Sequence, residues 1–494
     1  MTSAPSRAAS GARLLGDDVQ HLIVWYHVLR TQRADTTVVN LHVEAACAGN
    51  VDDLTLSYSD RPAEYWQIKA SVDATSPLTE EWLFRPSKGG KPSLLQRMHA
   101  GWVELGGRTG DKPRVVLATT KAIDPTDEVL ARRATTDTQI VEVLRDADGR
   151  VGEARGRWAA HLDITEPELI EFLDCLDIRH GQSEREWREK VADVGHGARV
   201  RCDNDGIAVG LQQVRNWVKA PRQTFTSASL RATIAELKLG IATDRALLVV
   251  QALEHNPRAE AAHYALDWVE LFAGDDPRER RVLRVPADAS RLLADLASAR
   301  NRLRAAGLRH LEVEGPMRLP LWFTTGAQMG VTAGFSVAAT VIDRTSDRVE
   351  LWSSTVPPAP DAGLSMRPTV TNLEGAEGRP WAVSVSVSTD ITEDVEAYRA
   401  VALPEALHLC ACVDLPGPTA IRDAAHAVGF AFALRDQLRS MARRLRPPAI
   451  HLFLAMPAAG ALILGNAWDR MPSTTTYWDL GLPGAYERAT TVVN

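Results

Sequence analysis

The chain has 494 residues, 45% hydrophobic and 24% charged, with 63 acidic against 56 basic residues and a formal net charge of −7. That length exceeds one ordinary core and predicts two or three domains, and the composition is that of a folded globular protein. The acidic balance excludes a protein that coats nucleic acid with its whole surface, while leaving room for one basic groove.

No apolar run approaches the roughly 20 residues that span a bilayer, and the chain does not open on a basic segment followed by an apolar one. No membrane partner is therefore expected, and the expected location is cytoplasmic. The five cysteines, Cys47, Cys175, Cys202, Cys410 and Cys412, lack the paired spacing of a zinc site and read as thiols in a reducing compartment. Residues 1–13, rich in Ser and Ala, are expected to be disordered or flexible.

The first helix is expected over 16–30, where Val19, Leu22, Ile23 and Tyr26 recur at helical spacing behind Gly16-Asp17-Asp18. Three strand-like runs follow, TVVNLHVEA, DDLTLSYS and AEYWQIKASV, separated by the turn residues Ala48-Gly49-Asn50 and Ser59-Asp60-Arg61-Pro62. A helix around 93–105 and a buried strand over 113–120 complete the order helix, three strands, helix, strand. Residues 125–235 read as a mostly helical extension, and a boundary is expected between about 222 and 242.

Beyond it, helices and strands alternate: a strand at 246–253, a helix at 288–307 ending at Gly307, a strand at 309–315, a helix at 418–445 stopped by Pro447-Pro448, and a strand at 450–456. Such units predict a layered α/β architecture with a mainly parallel sheet. Two segments resemble each other, HLEVEGPMRLPLWFTTGAQM from His310 and HLFLAMPAAGALILGNAWDRM from His451. His310 and Pro316 align with His451 and Pro457 at one offset, and Gly326 aligns with Gly465 after a two-residue gap. The expectation is two similar subdomains facing each other. Ser384, Ser386 and Ser388 alternate with valines as in a half-exposed strand.

One group of residues carries chemistry. Asp52-Asp53 opens one strand and Gln67-Ile68-Lys69 closes the next, a hairpin's length away. Residues i and i+2 of a strand share a face, so Gln67 and Lys69 point one way and a hairpin sets Asp53 opposite them. Hard Mg²⁺ (or Mn²⁺) takes oxygen ligands, here the Asp53 carboxylate, with Asp52 beside it, and a Gln67 carbonyl. Lys69 is placed to orient a water and to balance charge on a phosphorane. Glu44 on the preceding strand supplies a third carboxylate, and Gln20 on the first helix completes the rim.

This G-x-x-x-Q, E…DD, Q-x-K order resembles the PD-(D/E)xK nuclease superfamily, and within it the double-stranded-DNA endonuclease domain of bacterial CBASS antiphage effectors. The resemblance covers about residues 14–125 well and the helical extension weakly. It implies a restriction-endonuclease-like mixed sheet over 14–235, with Gln67 in place of the usual acidic residue. The segments from His310 and from Arg446 resemble the two CARF-like (Rossmann-like) halves of a SAVED cyclic-oligonucleotide sensor, implied over 242–494. In each half a strand exit, a Pro and a helix start come in sequence, Pro316-Met317-Arg318 and Met456-Pro457-Ala458, leaving backbone N–H groups for phosphate. Arg318 is expected to pair a phosphate, and Trp322, Trp468 and Tyr477 to stack on bases.

The function so implied is second-messenger-activated, metal-dependent cleavage of double-stranded DNA. A cyclic di- or trinucleotide binds the second half and drives homo-oligomer formation. The competing expectations are a ligand-responsive DNA-binding regulator with an inactive nuclease fold, and a restriction or junction-resolving nuclease that needs no messenger.

Overall fold

The computed structural model describes residues 7–44, 51, 53–70, 76–87, 89–110, 112–132, 139–145, 148–220, 224–343, 348–360, 364–368 and 376–493. The chain divides into two units, Met1–Ala242 and Thr243–Asn494.

The first unit opens with α1 (Arg7–Arg30), which starts earlier than expected. Residues 7–13, expected to be disordered or flexible, are helical; residues 1–6 lie outside the described residues. Ala, Arg and Leu are strong helix formers, and their summed propensity extends the helix upstream of Gly16. From His21 to Leu29 every residue of α1 is buried, so this helix is enclosed on all sides by its neighbours.

Then come β1 (Val38–Val43), β2 (Leu54–Tyr58) and β3 (Glu64–Lys69), as expected, followed by α2 (Glu80–Phe84), α3 (Leu94–Glu104) and β4 (Arg114–Thr119). Ser93 caps α3 in a reciprocal box with Gln96. The extension holds α4 (Val141–Arg145), α5 (Gly149–Leu162), α6 (Glu166–Leu173), β5 (Leu176–Arg179), α7 (Glu184–Ala198), α8 (Asn204–Val218), β6 (Thr224–Thr226) and α9 (Ser227–Glu236). β5 and β6 are too short to leave a periodic signal.

The strands form a mixed sheet in the order β5-β4-β3-β2-β1-β6, with β3, β4 and β5 parallel and the other neighbours antiparallel. Both faces are covered. Leu41, Val43, Leu54, Leu56, Trp66, Ile68, Val116 and Ala118 pack into a core with α1, α7 and α8. Val115, Leu117, Leu176 and Ile178 face the opposite way, against Trp102, Trp158 and Phe172 from the helices between β3 and β5.

The second unit has two sheets. The first contains β7 (Ala246–Gln251), β8 (Tyr264–Asp267), β9 (His310–Glu314), β10 (Ser336–Asp343) and β11 (Arg348–Ser353), with α10 (Ala289–Ala305) and α11 (Leu319–Gln328) between strands. The second contains β12 (Leu364–Pro368), β13 (Trp381–Ser386), β14 (Leu407–Val413), β15 (Ile450–Ala455), β16 (Thr474–Asp479) and β17 (Tyr486–Val492), with α12 (Thr392–Ala402), α13 (Ala424–Leu445) and α14 (Ala458–Asn466). α13 begins six residues later than its periodicity suggests, because Asp423 caps it by accepting from the His426 N–H at 2.8 Å.

The sheet orders are β11-β10-β9-β7-β8 and β12-β14-β13-β15-β16-β17. Read from the hairpin ends they coincide: β17-β16-β15-β13-β14 repeats β11-β10-β9-β7-β8, and β12 is an addition. In each set the inner strands are parallel, and the hairpin β10–β11 or β16–β17 closes one edge. The duplication thus extends well past the segments in which it is legible as sequence.

The repeated glycines explain themselves here. A β-carbon on Gly326 of α11 would overlap the Leu462 carbonyl of α14 and lie 2.8 Å from Asn466 N; one on Gly465 would overlap the Phe323 carbonyl and lie 2.9 Å from Ala327 N. The two helices cross backbone to backbone, and only glycine leaves the room. Asn466 locks the crossing by donating to the Met329 and Phe335 carbonyls.

Ser384 and Ser386 correct an expectation. They lie on β13, a central strand with β14 and β15 on its two sides, and both are wholly buried; only Ser388 is partly exposed. A parallel strand covered on both faces buries its polar residues too.

Candidate functional site

In the first unit the β2–β3 register pairs Leu54 with Trp66, and continued by one residue it sets Asp53 opposite Gln67. Leu54, Trp66 and Ile68 all point into the α1 core, so Asp53, Gln67 and Lys69 belong to the other face of the sheet. The Gln67 amide donates to Asp53 Oδ2, and the Ile68 N–H donates to the same oxygen at 2.6 Å. Gln67 is buried, while Asp53 and Lys69 are half-buried.

Glu44 follows β1. Its N–H donates to the Asp53 carbonyl at 3.3 Å, and its backbone takes a positive φ of 54°. From α1, Gln20 Nε2 donates to Glu44 Oε1 at 2.9 Å and to Asp53 Oδ1 at 3.4 Å. Four side chains from the sheet and from α1 therefore converge: Gln20, Glu44, Asp53 and Gln67. Lys69 shares their sheet face; its carbonyl accepts from Thr119 Oγ1 at 2.8 Å, and its amine has no hydrogen-bond or ion-pair partner among the described residues. Asp52 lies outside the described residues. The oxygen donors present are the Glu44 and Asp53 carboxylates and the Gln67 carbonyl. Among the described residues no three His, Cys, Asp or Glu side chains are grouped as a ligand set.

In the second unit the Pro316 carbonyl, just beyond β9, accepts from the Ala252 and Leu253 N–H groups at 3.2 and 2.9 Å. Neither α11, entered from Arg318, nor α14, entered from Pro457, has a side-chain cap, so the first N–H groups of both helices lack a side-chain acceptor. Ala458 is the first residue of α14. Met317 and Met456 are buried.

Four expectations are corrected. Trp322 is buried, with its indole N–H donating to the Met317 carbonyl at 3.2 Å. Trp468, 1% exposed, donates to Thr474 Oγ1 at 2.9 Å and stands edge-on to Phe323. Tyr477, 3% exposed, stacks on Phe453 and shares a hydrogen bond with His451 Nδ1 at 2.8 Å; burial pushes its hydroxyl up to about 12. These rings are core residues, with no open face for a base. Arg318 is spent on backbone: it donates to the carbonyls of Pro277, Arg278 and Arg280 at 3.1–3.2 Å.

The sequence reading also missed a hydrogen-bonded chain. Ser384 Oγ meets His408 Nε2 at 2.9 Å, and His408 Nδ1 meets Glu396 Oε2 at 2.9 Å. The three residues are scattered in sequence, and no motif announces them.

Residues 290–492 match the SAVED family, the SMODS-associated and fused to various effectors sensor domain. Three solved structures resemble the chain in fold. Two are of the Acinetobacter baumannii Cap4 SAVED/CARF-domain containing receptor, with the cyclic trinucleotides 2'3'3'-cAAA and 3'3'3'-cAAA. Each is 13% identical, covers 99% of both chains, and superposes with a TM-score of 0.56 and 0.54 respectively. The third is the Cap4 SAVED/CARF-domain containing receptor of Moraxella osloensis, 12% identical over 97% of this chain and 99% of that one, with a TM-score of 0.52. No curated protein sequence matches the chain. The SAVED match falls within the duplicated sheets, and no described helix is long and apolar enough to cross a membrane.

Proposed function

We propose that the chain is an antiphage CBASS effector in which a cyclic oligonucleotide, bound by the second unit, switches on metal-dependent cleavage of double-stranded DNA by a PD-(D/E)xK-type first unit. The sensing half of this reading is supported by the SAVED match. Binding of cyclic trinucleotides by the similarly folded Cap4 receptors gives the ligand class.

The cutting half rests on one observation, the register that sets the Asp53 carboxylate opposite Gln67 on the face shared by Lys69. An oxygen-only donor set of two carboxylates and an amide carbonyl suits Mg²⁺ or Mn²⁺, which keeps several waters when protein supplies few ligands. Such an ion, when bound, polarises the scissile phosphate and acidifies a water. Gln20 holds the Glu44 and Asp53 carboxylates at one place, so neither has to be ordered when charge arrives. Lys69 balances charge growing on the phosphate. Ligand-driven assembly of several chains would let weak DNA grooves on an acidic protein act together.

One observation favours a second reading, a DNA-binding regulator with an inactive nuclease fold. Gln67 stands where a third carboxylate is usual, and the described residues offer no three-acid cluster. Supercoiled plasmid with Mg²⁺ and a panel of cyclic di- and trinucleotides separates the two. The first reading expects nicking that needs both ligand and metal and falls at least a hundredfold in Lys69→Ala. Ligand-dependent gel shifts without any cleavage overturn it.

A further inference from the structure

The segment Asp275-Asp276-Pro277-Arg278-Glu279-Arg280-Arg281 is the densest run of charge in the second unit, and nothing above gives it a task. Arg318, at the exit of β9, holds this loop through the three carbonyls it caps. Arg280 donates to the Leu253 carbonyl beyond β7. The loop is thereby fixed over the carboxyl ends of the first-half strands, where open α/β sheets take their ligands.

Arg281 is then delivered to the second half. Its guanidinium lies against Gly481, whose β-carbon, if present, would overlap Nη1 and stand 2.6 Å from Cζ. Gly481 has a φ of +76° in the turn after β16, closed by its own N–H donating to Asp479 Oδ1 at 2.7 Å. Arg281 is half-buried, yet among the described residues it has no hydrogen bond or ion pair. Its backbone is tethered at the Arg318 guanidinium, which donates to the carbonyl of the preceding Arg280 at 3.2 Å. Burial first, and then Arg281, hold that group below its ordinary pKa, with Asp479 as the opposing carboxylate. An unpaired guanidinium laid on the Gly481 backbone, next to a loop that Arg318 holds at the uncapped start of α11, makes a place where an anion is favoured.

We propose that Arg281, laid across the Gly481 backbone beside Arg318, is a phosphate-binding residue shared by the two halves, and that it takes a phosphodiester group of a cyclic oligonucleotide. The ligand class rests on the sensor reading above; the phosphate site does not. Because the loop comes from one half and the glycine from the other, a bound phosphate ties the halves together at this point.

The test uses the full chain, wild type and Arg281→Gln, with two probes: inorganic tripolyphosphate, followed by thermal shift, and a panel containing 2'3'3'-cAAA, 3'3'3'-cAAA and cyclic dinucleotides, followed by calorimetry. Wild type is expected to bind tripolyphosphate saturably, and Arg281→Gln about ten- to a hundredfold more weakly, as for loss of a charged hydrogen-bond donor. Arg304→Gln, on the exposed side of α10, is expected to match wild type. Equal binding by Arg281→Gln, or no saturable binding by wild type, overturns the site. If the tripolyphosphate effect holds and no cyclic oligonucleotide binds, the phosphate site stands and the sensor reading falls. If a cyclic oligonucleotide binds wild type and Arg281→Gln alike, the sensor reading stands and this inference falls.

Discussion

Two polar groupings in this chain have the residue types of catalysis and differ in exposure. Around Asp53, two amides, two carboxylates and a lysine are gathered at the end of a hairpin, and Asp53, Glu44, Gln20 and Lys69 all keep part of their surface open. The Ser384–His408–Glu396 chain has the order and spacing of a nucleophile, a base and an orienting acid, but Ser384 is wholly buried in a central strand and His408 is 2% exposed. Hydrogen-bond geometry alone therefore does not mark a site. A reacting phosphate or carbonyl has to reach the group, and the packing over this face of β13 denies it that approach.

The comparison is broken most directly at Asp53. Asp53→Asn keeps the side chain's size but turns one of two accepting oxygens into a donor that faces the Gln20 or the Gln67 amide, so the first unit should stay folded at a cost of about 1–3 kcal/mol. The carboxylate charge is lost, and we expect plasmid cleavage to fall a hundredfold or more. Cleavage within a few-fold of wild type would remove Asp53 from the chemistry.

At the buried chain the expectation reverses. Ser384→Ala removes a buried hydroxyl and its hydrogen bond to His408, and should cost about 1–3 kcal/mol in urea unfolding, with cleavage per folded molecule unchanged. Adding His408→Leu should recover part of that loss, because both partners are then apolar. Loss of cleavage in stably folded Ser384→Ala would show that burial is a poor guide here.

The contrast between these groupings also explains what the sequence reveals. Asp53, Gln67 and Lys69 are legible because a hairpin has a fixed periodicity and their order is contiguous. α3 is legible as a helical stretch over 93–105, and the Ser93 cap that fixes its start is seen only in the structure. The duplication shows in β9–α11 and β15–α14 because the crossing demands Gly326 and Gly465, while the surrounding elements share topology without sharing residues. Trp322, Trp468 and Tyr477 mislead, since an aromatic after a strand reads alike whether it meets a base or a core. Arg281 is hidden for a different reason: its meaning depends on Gly481, two hundred positions away, and no spacing rule connects them.

The smallest expected effect compares two buried histidines. Burial lowers the pKa of His408, and the adjacent Glu396 carboxylate opposes that shift. His27 on α1 has no such partner. It stands edge-on to Trp66 with Nε2 unbonded, and burial, then Arg179, Arg30 and Arg61, hold its pKa well below 6.5. His27 therefore stays neutral in the folded chain. Once unfolded it takes up a proton as pH falls below about 6.5, so the unfolded state binds more protons in that range and stability drops with falling pH. Above pH 7 the term vanishes. The contribution should approach roughly 1 kcal/mol for each pH unit below 6.5. His27→Phe preserves the edge contact with Trp66 and cannot titrate. Urea unfolding of the two chains between pH 7.5 and 5 should therefore show a shallower loss of stability in the variant, and parallel curves would mean that His27 finds a proton-accepting partner in the folded protein.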